Sequence, residues 1–182
     1  MSSGTVALGP TERPGRTPTP GDGLLQPVAL GAVAVLIVND HVLKSAWPGA
    51  VTGKLSDVAG LIVAPLAIQA GWELITWVRS RWVGPSKRVL AVAIALVGVG
   101  FVAIQVWEPA VTAYRWGLGV LQWPFQALAA VVLRGDTLPP IAAVSATPDA
   151  GDLIALPALG VAWWVGGRRS GRRPAHVPGT GS

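Results

Sequence analysis

The sequence predicts an all-α integral membrane bundle of four transmembrane helices, and three observations carry that expectation. Of 182 residues, 51% are hydrophobic and only 13% charged, against roughly 25% charged in soluble domains. Mean hydropathy is accordingly positive, +0.52. Apolar runs long enough to cross a hydrocarbon core of about 30 Å recur along the chain, separated by short polar or basic segments. The Lys and Arg residues behind the net charge of +5 gather at the edges of these runs. That is a membrane-topology pattern and not a nucleic-acid-binding face. The absence of cysteine excludes disulfides, thiolate metal sites and thiol nucleophiles.

Residues 1–23 mix Pro, Gly, Ser and Thr with scattered charges and show no apolar periodicity, the composition of a disordered tail, here read as cytoplasmic. A cleaved signal peptide is the alternative, disfavoured because the following apolar run ends in Asn39-Asp40-His41 and not in a small-residue cleavage site. The membrane domain then occupies 24–169. Its first span covers about 26–46, provided the polar stretch from Asn39 to Lys44 is helical, and Trp47-Pro48-Gly49 ends it. Asp40 and Lys44 are four apart and share a face on which they can pair.

The second span covers about 52–78, with Thr52 as its expected N-cap, Pro65 as a kink and Trp72 and Trp77 near the far interface. Glu73, near that interface, reads as a snorkelling acid. A basic loop from Arg79 to Arg88 follows. The third span, about 89–107, is nearly pure Ala, Val, Ile, Leu and Gly, with Gly98 and Gly100 expected to permit close helix approach. Residues 111–133 are apolar but interrupted by Arg115, Gln122 and Pro124. They read as an interfacial or re-entrant helix between spans three and four, with a fifth span as the weaker option. The last span, about 148–167, opens with Thr147-Pro148-Asp149, a cap followed by Pro at the first helical position. Residues 170–182 form a basic, disordered tail.

Orientation follows from the basic residues. With four spans and both termini in the cytoplasm, ten of the 14 Lys and Arg residues lie inside, whereas a fifth span would export a strongly basic segment. Residues 39–60 and 147–152 then share the outer side. A weak internal repeat links them: Val51 to Leu61 aligns without gaps on Ala146 to Leu156, with Thr52 on Thr147 and Asp57 on Asp152. The bundle reads as two hairpins in parallel orientation. Each second helix then carries an Asp about 7.5 Å below its start, at nearly the depth of Asp40.

Carboxylates at one depth in a low-dielectric setting need cations, protons or a metal. Asn39, Asp40, His41, Lys44, Thr52, Lys54, Asp57, Asp149 and Asp152 therefore form the candidate binding set, for a cation or a polar lipid headgroup. A structural ion-pair and capping network is the bland alternative. The pattern Asn39-Asp40-x-x-Leu43-Lys44, then Thr52-Gly53-Lys54-Leu55-Ser56-Asp57-x-x-Gly60-Leu61, resembles one found in uncharacterised small bacterial multi-pass membrane proteins. The resemblance covers about a quarter of the chain and implies membrane location without implying an activity.

Other chemistry is thinly represented. Gly49 to Ser56 has the outline of a phosphate-binding loop, but its glycine spacing is one residue short and no strand precedes it. With two His in all, a multi-His zinc site is excluded, and oxygen ligation of a hard cation stays open. The reading is a bacterial inner-membrane protein with a binding or transport-type role, needing no cofactor and no nucleic acid. Its rivals are a membrane enzyme acting on an outer-leaflet lipid, with Asp40 or Asp57 as base and His41 as shuttle, and a non-catalytic partner of another membrane protein.

Overall fold

The computed structural model describes residues 18–46 and 49–169, the side chains of Lys44 and Ala50 excepted. The tails over 1–17 and 170–182 lie outside the described residues. Among the described residues all regular structure is helical. The helices are α1 (Pro27–Val38), α2 (Lys44–Ala46), α3 (Ala50–Val78), α4 (Lys87–Val106), α5 (Glu108–Leu128) and α6 (Ala158–Arg169). A π-helical turn, Asn39–Leu43, joins α1 to α2, another, Ala129–Arg134, extends α5, and a 3-10 turn, Ala150–Ala155, precedes α6.

Four helical stretches are long and apolar enough to cross a membrane: Val51–Val78, Lys87–Val106, Glu108–Arg134 and Ala150–Arg169. Pro27–Leu43 is a shorter apolar helix. The set differs from the expected one by a single exchange: the first helical run, Pro27–Leu43, is shorter than the expected span, while the helix that begins with α5 continues through its own π turn to Arg134.

Packing nonetheless singles out α1, α3, α4 and α6 as the bundle. Ala29, Leu66, Leu90, Ala162 and Val165 bring all four together in one core, and Leu61, Ala155 and Ala158 form a second beneath Phe101 and Val97. The small residues on α1 and α6 let the backbones approach, which is how helices associate where apolar burial gives little drive. Gly98 serves this purpose, since a Cβ there would lie 2.9 Å from Leu159 Cδ1. Gly100 does not, for a Cβ at that position meets nothing within 4 Å.

Helix starts explain the boundaries. Ser86 caps α4 by accepting from Val89 N at 3.4 Å. In α3 the start falls at Ala50, so Thr52 is not the cap expected of it. It sits at the third helical position and reaches back, its Oγ1 donating to the Gly49 carbonyl (2.8 Å) and accepting from Gly49 N (3.2 Å). At the last helix the cap is Asp149 and not Thr147, its Oδ1 accepting from Gly151 N at 2.7 Å. The segments aligned as a repeat thus differ in conformation: Val51 onward is α-helical, whereas 146–149 is extended and Asp152 lies in a 3-10 turn.

After α5 the chain turns at Gly135, whose φ of +68° is natural only to glycine, and runs back extended along the helix. Asp136 N donates to Ala130 O (3.0 Å), Trp123 Nε1 to Pro139 O (2.7 Å) and Val144 N to Arg115 O (3.1 Å). Midway, Gly119 leaves room for the Ala142 carbonyl, with which any Cβ would collide. α5 and its return strand of chain therefore begin and end at the same end of the bundle.

Residues 18–23, read from the sequence as tail, form a turn packed on the opposite end. Gly21 N donates to Glu73 Oε2 at 2.9 Å, and Arg169 reaches both the Thr19 carbonyl (3.2 Å) and Asp22 (3.7 Å). Glu73 is consequently 2% exposed, a buried acid and not the snorkelling one expected.

Candidate binding cavity

Where α1, α3 and α4 meet the returning segment lies a cavity of about 680 Å³, within the range of about 300–1,000 Å³ at which small-molecule sites form. Its floor and sides are apolar: Leu36, Leu61, Ala64, Leu96, Val97, Phe101, Ile104 and Val111. Its other end carries Asp40, Ser56, Asp57, Gln105, Tyr114, Thr147 and Asp152. Gly60 and Gly100 also line it, and a Cβ on either would project into open space.

The polar end is held by two knots. In the first, the π turn carries Asn39 inward: it is fully buried, and its Nδ2 donates to Thr52 O (2.8 Å) and Ser56 Oγ (2.6 Å). One extra residue per turn advances the chain relative to an α-helix. Asn39 thereby clamps α3 while the next residue, Asp40, reaches the cavity and accepts from Ser56 Oγ at 3.3 Å. The Asn39 Oδ1 atom is buried with no hydrogen-bond partner.

In the second knot Asp152 joins three elements. Lys54 Nζ of α3 donates to its Oδ1 at 2.7 Å, and Gln105 Nε2 of α4 to its Oδ2 at 3.4 Å. Gln105 Oε1 in turn accepts from Asp149 N at 3.0 Å. Arg115 of α5 donates to the Ala146 carbonyl, pinning the extended segment that brings Thr147 to the rim. The Lys54 and Asp152 side chains are 37% and 17% exposed, so the pair faces partly open space.

Of the nine residues singled out in the sequence, Asp40, Asp57 and Asp152 line the cavity. Asn39, Thr52, Lys54 and Asp149 support it from behind. His41 is not among the lining residues; it is exposed, with Nδ1 3.0 Å from the Ile37 carbonyl of its own helix. Lys44 lies in α2, and its expected pairing with Asp40 falls outside the described side chains. Sequence reasoning missed Ser56, Gln105, Tyr114 and Thr147 as lining groups. Gln105 did leave a signal, being a lone amide in an otherwise apolar span, where polar side chains are costly and tend to be functional.

No family model, no curated protein and no solved structure matches this chain.

Proposed function

We propose that the cavity binds a membrane amphiphile whose headgroup carries hydrogen-bond donors, in a multi-pass protein of the bacterial inner membrane with both termini cytoplasmic. One observation carries this reading: Asp40, Asp57 and Asp152, with Ser56, Gln105 and Thr147, line the same cavity as a larger set of apolar side chains. Ionised carboxylates only accept hydrogen bonds, so an amine or hydroxyl headgroup suits the polar end and an acyl chain suits Leu61, Leu96 and Phe101. A bare metal ion fits less well, because among the described residues no group of three or more His, Asp or Glu is suited to hold one.

The placement of charge supports the orientation. Arg79, Arg81, Lys87, Arg88, Arg168 and Arg169 lie at the chain ends of α3, α4 and α6 remote from the cavity, the end that a cytoplasmic bias in Lys and Arg would place inside. The return of 135–149 along α5 supports a re-entrant or interfacial arm, and the exposed Trp116, Leu121, Phe125 and Leu128 on α5 suit contact with lipid.

The test compares two headgroups that differ chiefly in donors. Protein in nanodiscs of mixed phosphatidylethanolamine and phosphatidylcholine, released for native mass spectrometry, should retain the ethanolamine lipid and not the choline lipid. Asp57→Asn and Gly100→Leu should each abolish that preference, the first by removing charge and the second by filling the cavity. Equal retention of both lipids by the wild-type protein sinks the reading.

A further inference from the structure

Gln69 and Glu73 stand four apart on α3, and so on one face, and each is only 2% exposed. Both face α6. A Cβ on Gly166 would sit 3.2 Å from Gln69 Oε1, and Arg169 Nη1, three residues further along, is 4.0 Å from Glu73 Oε2. Leu90 of α4 closes one side, 2.7 Å from that same Cβ position, and the 19–23 turn closes the end through Gly21 N. Within this seam Gln69 Oε1, Gln69 Nε2 and Glu73 Oε1 are all buried without a hydrogen-bond partner. Folded proteins rarely leave three such neighbours unmatched.

We propose that Gln69 and Glu73 form a second binding site, for a small monovalent cation, in the seam between α3 and α6 at the end opposite the cavity. Two of the three unmatched atoms are oxygens, one of them on a carboxylate, which is the donor set of a hard cation. Charge selects its valence. Arg169 approaches the other Glu73 oxygen only at 4.0 Å and also serves Asp22 and the Thr19 carbonyl, while Arg168 is turned away, stacked 3.9 Å from the Trp164 ring centre. One carboxylate with a distant, shared counter-ion balances a single positive charge and offers too little for a divalent ion. Gly166 is part of the site, because any side chain there would press on Leu90 and occupy the space in front of the Gln69 oxygen. The site shares no residue with the cavity, so either assignment can fail without the other.

The test measures the thermal unfolding midpoint of the full chain in phosphatidylcholine nanodiscs, in sodium, potassium or choline chloride at equal ionic strength. Choline is too bulky for the closed seam. Sodium or potassium should raise the wild-type midpoint saturably by roughly 5 °C over choline, and the rise should vanish in Glu73→Gln and in Gln69→Met. In choline, Gln69→Met should unfold above wild type, since an apolar chain of similar size replaces an unmatched amide. Equal wild-type midpoints in the three salts, or a rise that survives Gln69→Met, overturns the site. Should Glu73→Gln fail to accumulate, the wild-type salts and Gln69→Met decide it alone.

Discussion

The two ends of the bundle use the same kinds of side chain to opposite effect. At the cavity end Asp152, Lys54 and Gln105 bond to one another around open space, and the Lys54 side chain stays 37% exposed. At the other end Glu73, Arg169 and the Gly21 amide close on each other, and the Glu73 and Arg169 side chains are 3% and 11% exposed. Burial decides how much each charge matters, because an ion in a desolvated place depends on its partner far more than one that water can reach. Polar groups at the cavity end thus border open space, whereas at the closed end Arg169 and the Gly21 amide hold Glu73 in a buried seam.

The sharpest way to break this contrast is Arg169→Ala. It removes the cation beside buried Glu73 and the donor to the Thr19 carbonyl together, and stranding a buried charge costs about 3–5 kcal/mol. Unfolding of the purified protein by heat should show a loss near that size. A change below about 1 kcal/mol would place Glu73 in a solvated setting and erase the difference between the ends.

Next in size is the contrast between two glycines. Gly119→Val must push the Ala142 backbone off α5, an overpacking strain of roughly 1–3 kcal/mol, and should open residues 135–149 to limited proteolysis. At Gly100 a Cβ meets nothing within 4 Å and points into the cavity, so Gly100→Leu should leave both stability and the protease pattern unchanged. Protection of 135–149 in Gly119→Val would mean that the return segment is held by something other than its fit to the helix.

Much of this architecture is readable in the chain, and the unreadable part has physical causes. Run length and hydropathy depend only on local composition, so the apolar helices over 51–78 and 87–106 follow from the sequence almost to their ends. Asp40, Asp57 and Asp152 stand out because charge in an apolar neighbourhood is costly wherever it sits. The partners do not stand out. Glu73 meets Gly21 across 52 residues and Lys54 meets Asp152 across 98, and no periodicity encodes which helix faces which. The π turn is hidden as well, since Asn39 to Leu43 has no composition that separates it from an α-helical turn, yet it decides that Asn39 clamps α3 while Asp40 lines the cavity. Gly100 shows the same limit: a glycine that borders a cavity and one that makes room for a helix are spelled alike.

A smaller effect is expected at Asn39. Asn39→Ala removes donors to Thr52 O and Ser56 Oγ but also removes a carbonyl oxygen that has no partner. The lost bonds weigh about 1 kcal/mol each and the removed orphan oxygen offsets part of that, so heat denaturation should show a net loss of about 1 kcal/mol. A loss above about 3 kcal/mol would mean that the orphan oxygen has a partner in the membrane, which would make Asn39 part of the site and not its support.

A smaller loss than at Asn39, and the finest test of the comparison, is expected for Lys54→Met. The pair with Asp152 is short, 2.7 Å, but its lysine is more than a third exposed, and such pairs contribute about 0–1 kcal/mol. Methionine keeps most of the chain length, and Gln105 still donates to Asp152, so the carboxylate is not left without a partner. Stability should fall by less than about 1 kcal/mol. The acidic end of the cavity, however, loses a cation that competes with any donor-bearing headgroup for Asp152. Retention of an ethanolamine lipid in native mass spectra should therefore rise in Lys54→Met while it is lost in Asp57→Asn. If both substitutions reduce retention, Lys54 contacts the headgroup itself, and the ligand carries an acceptor such as phosphate at that position.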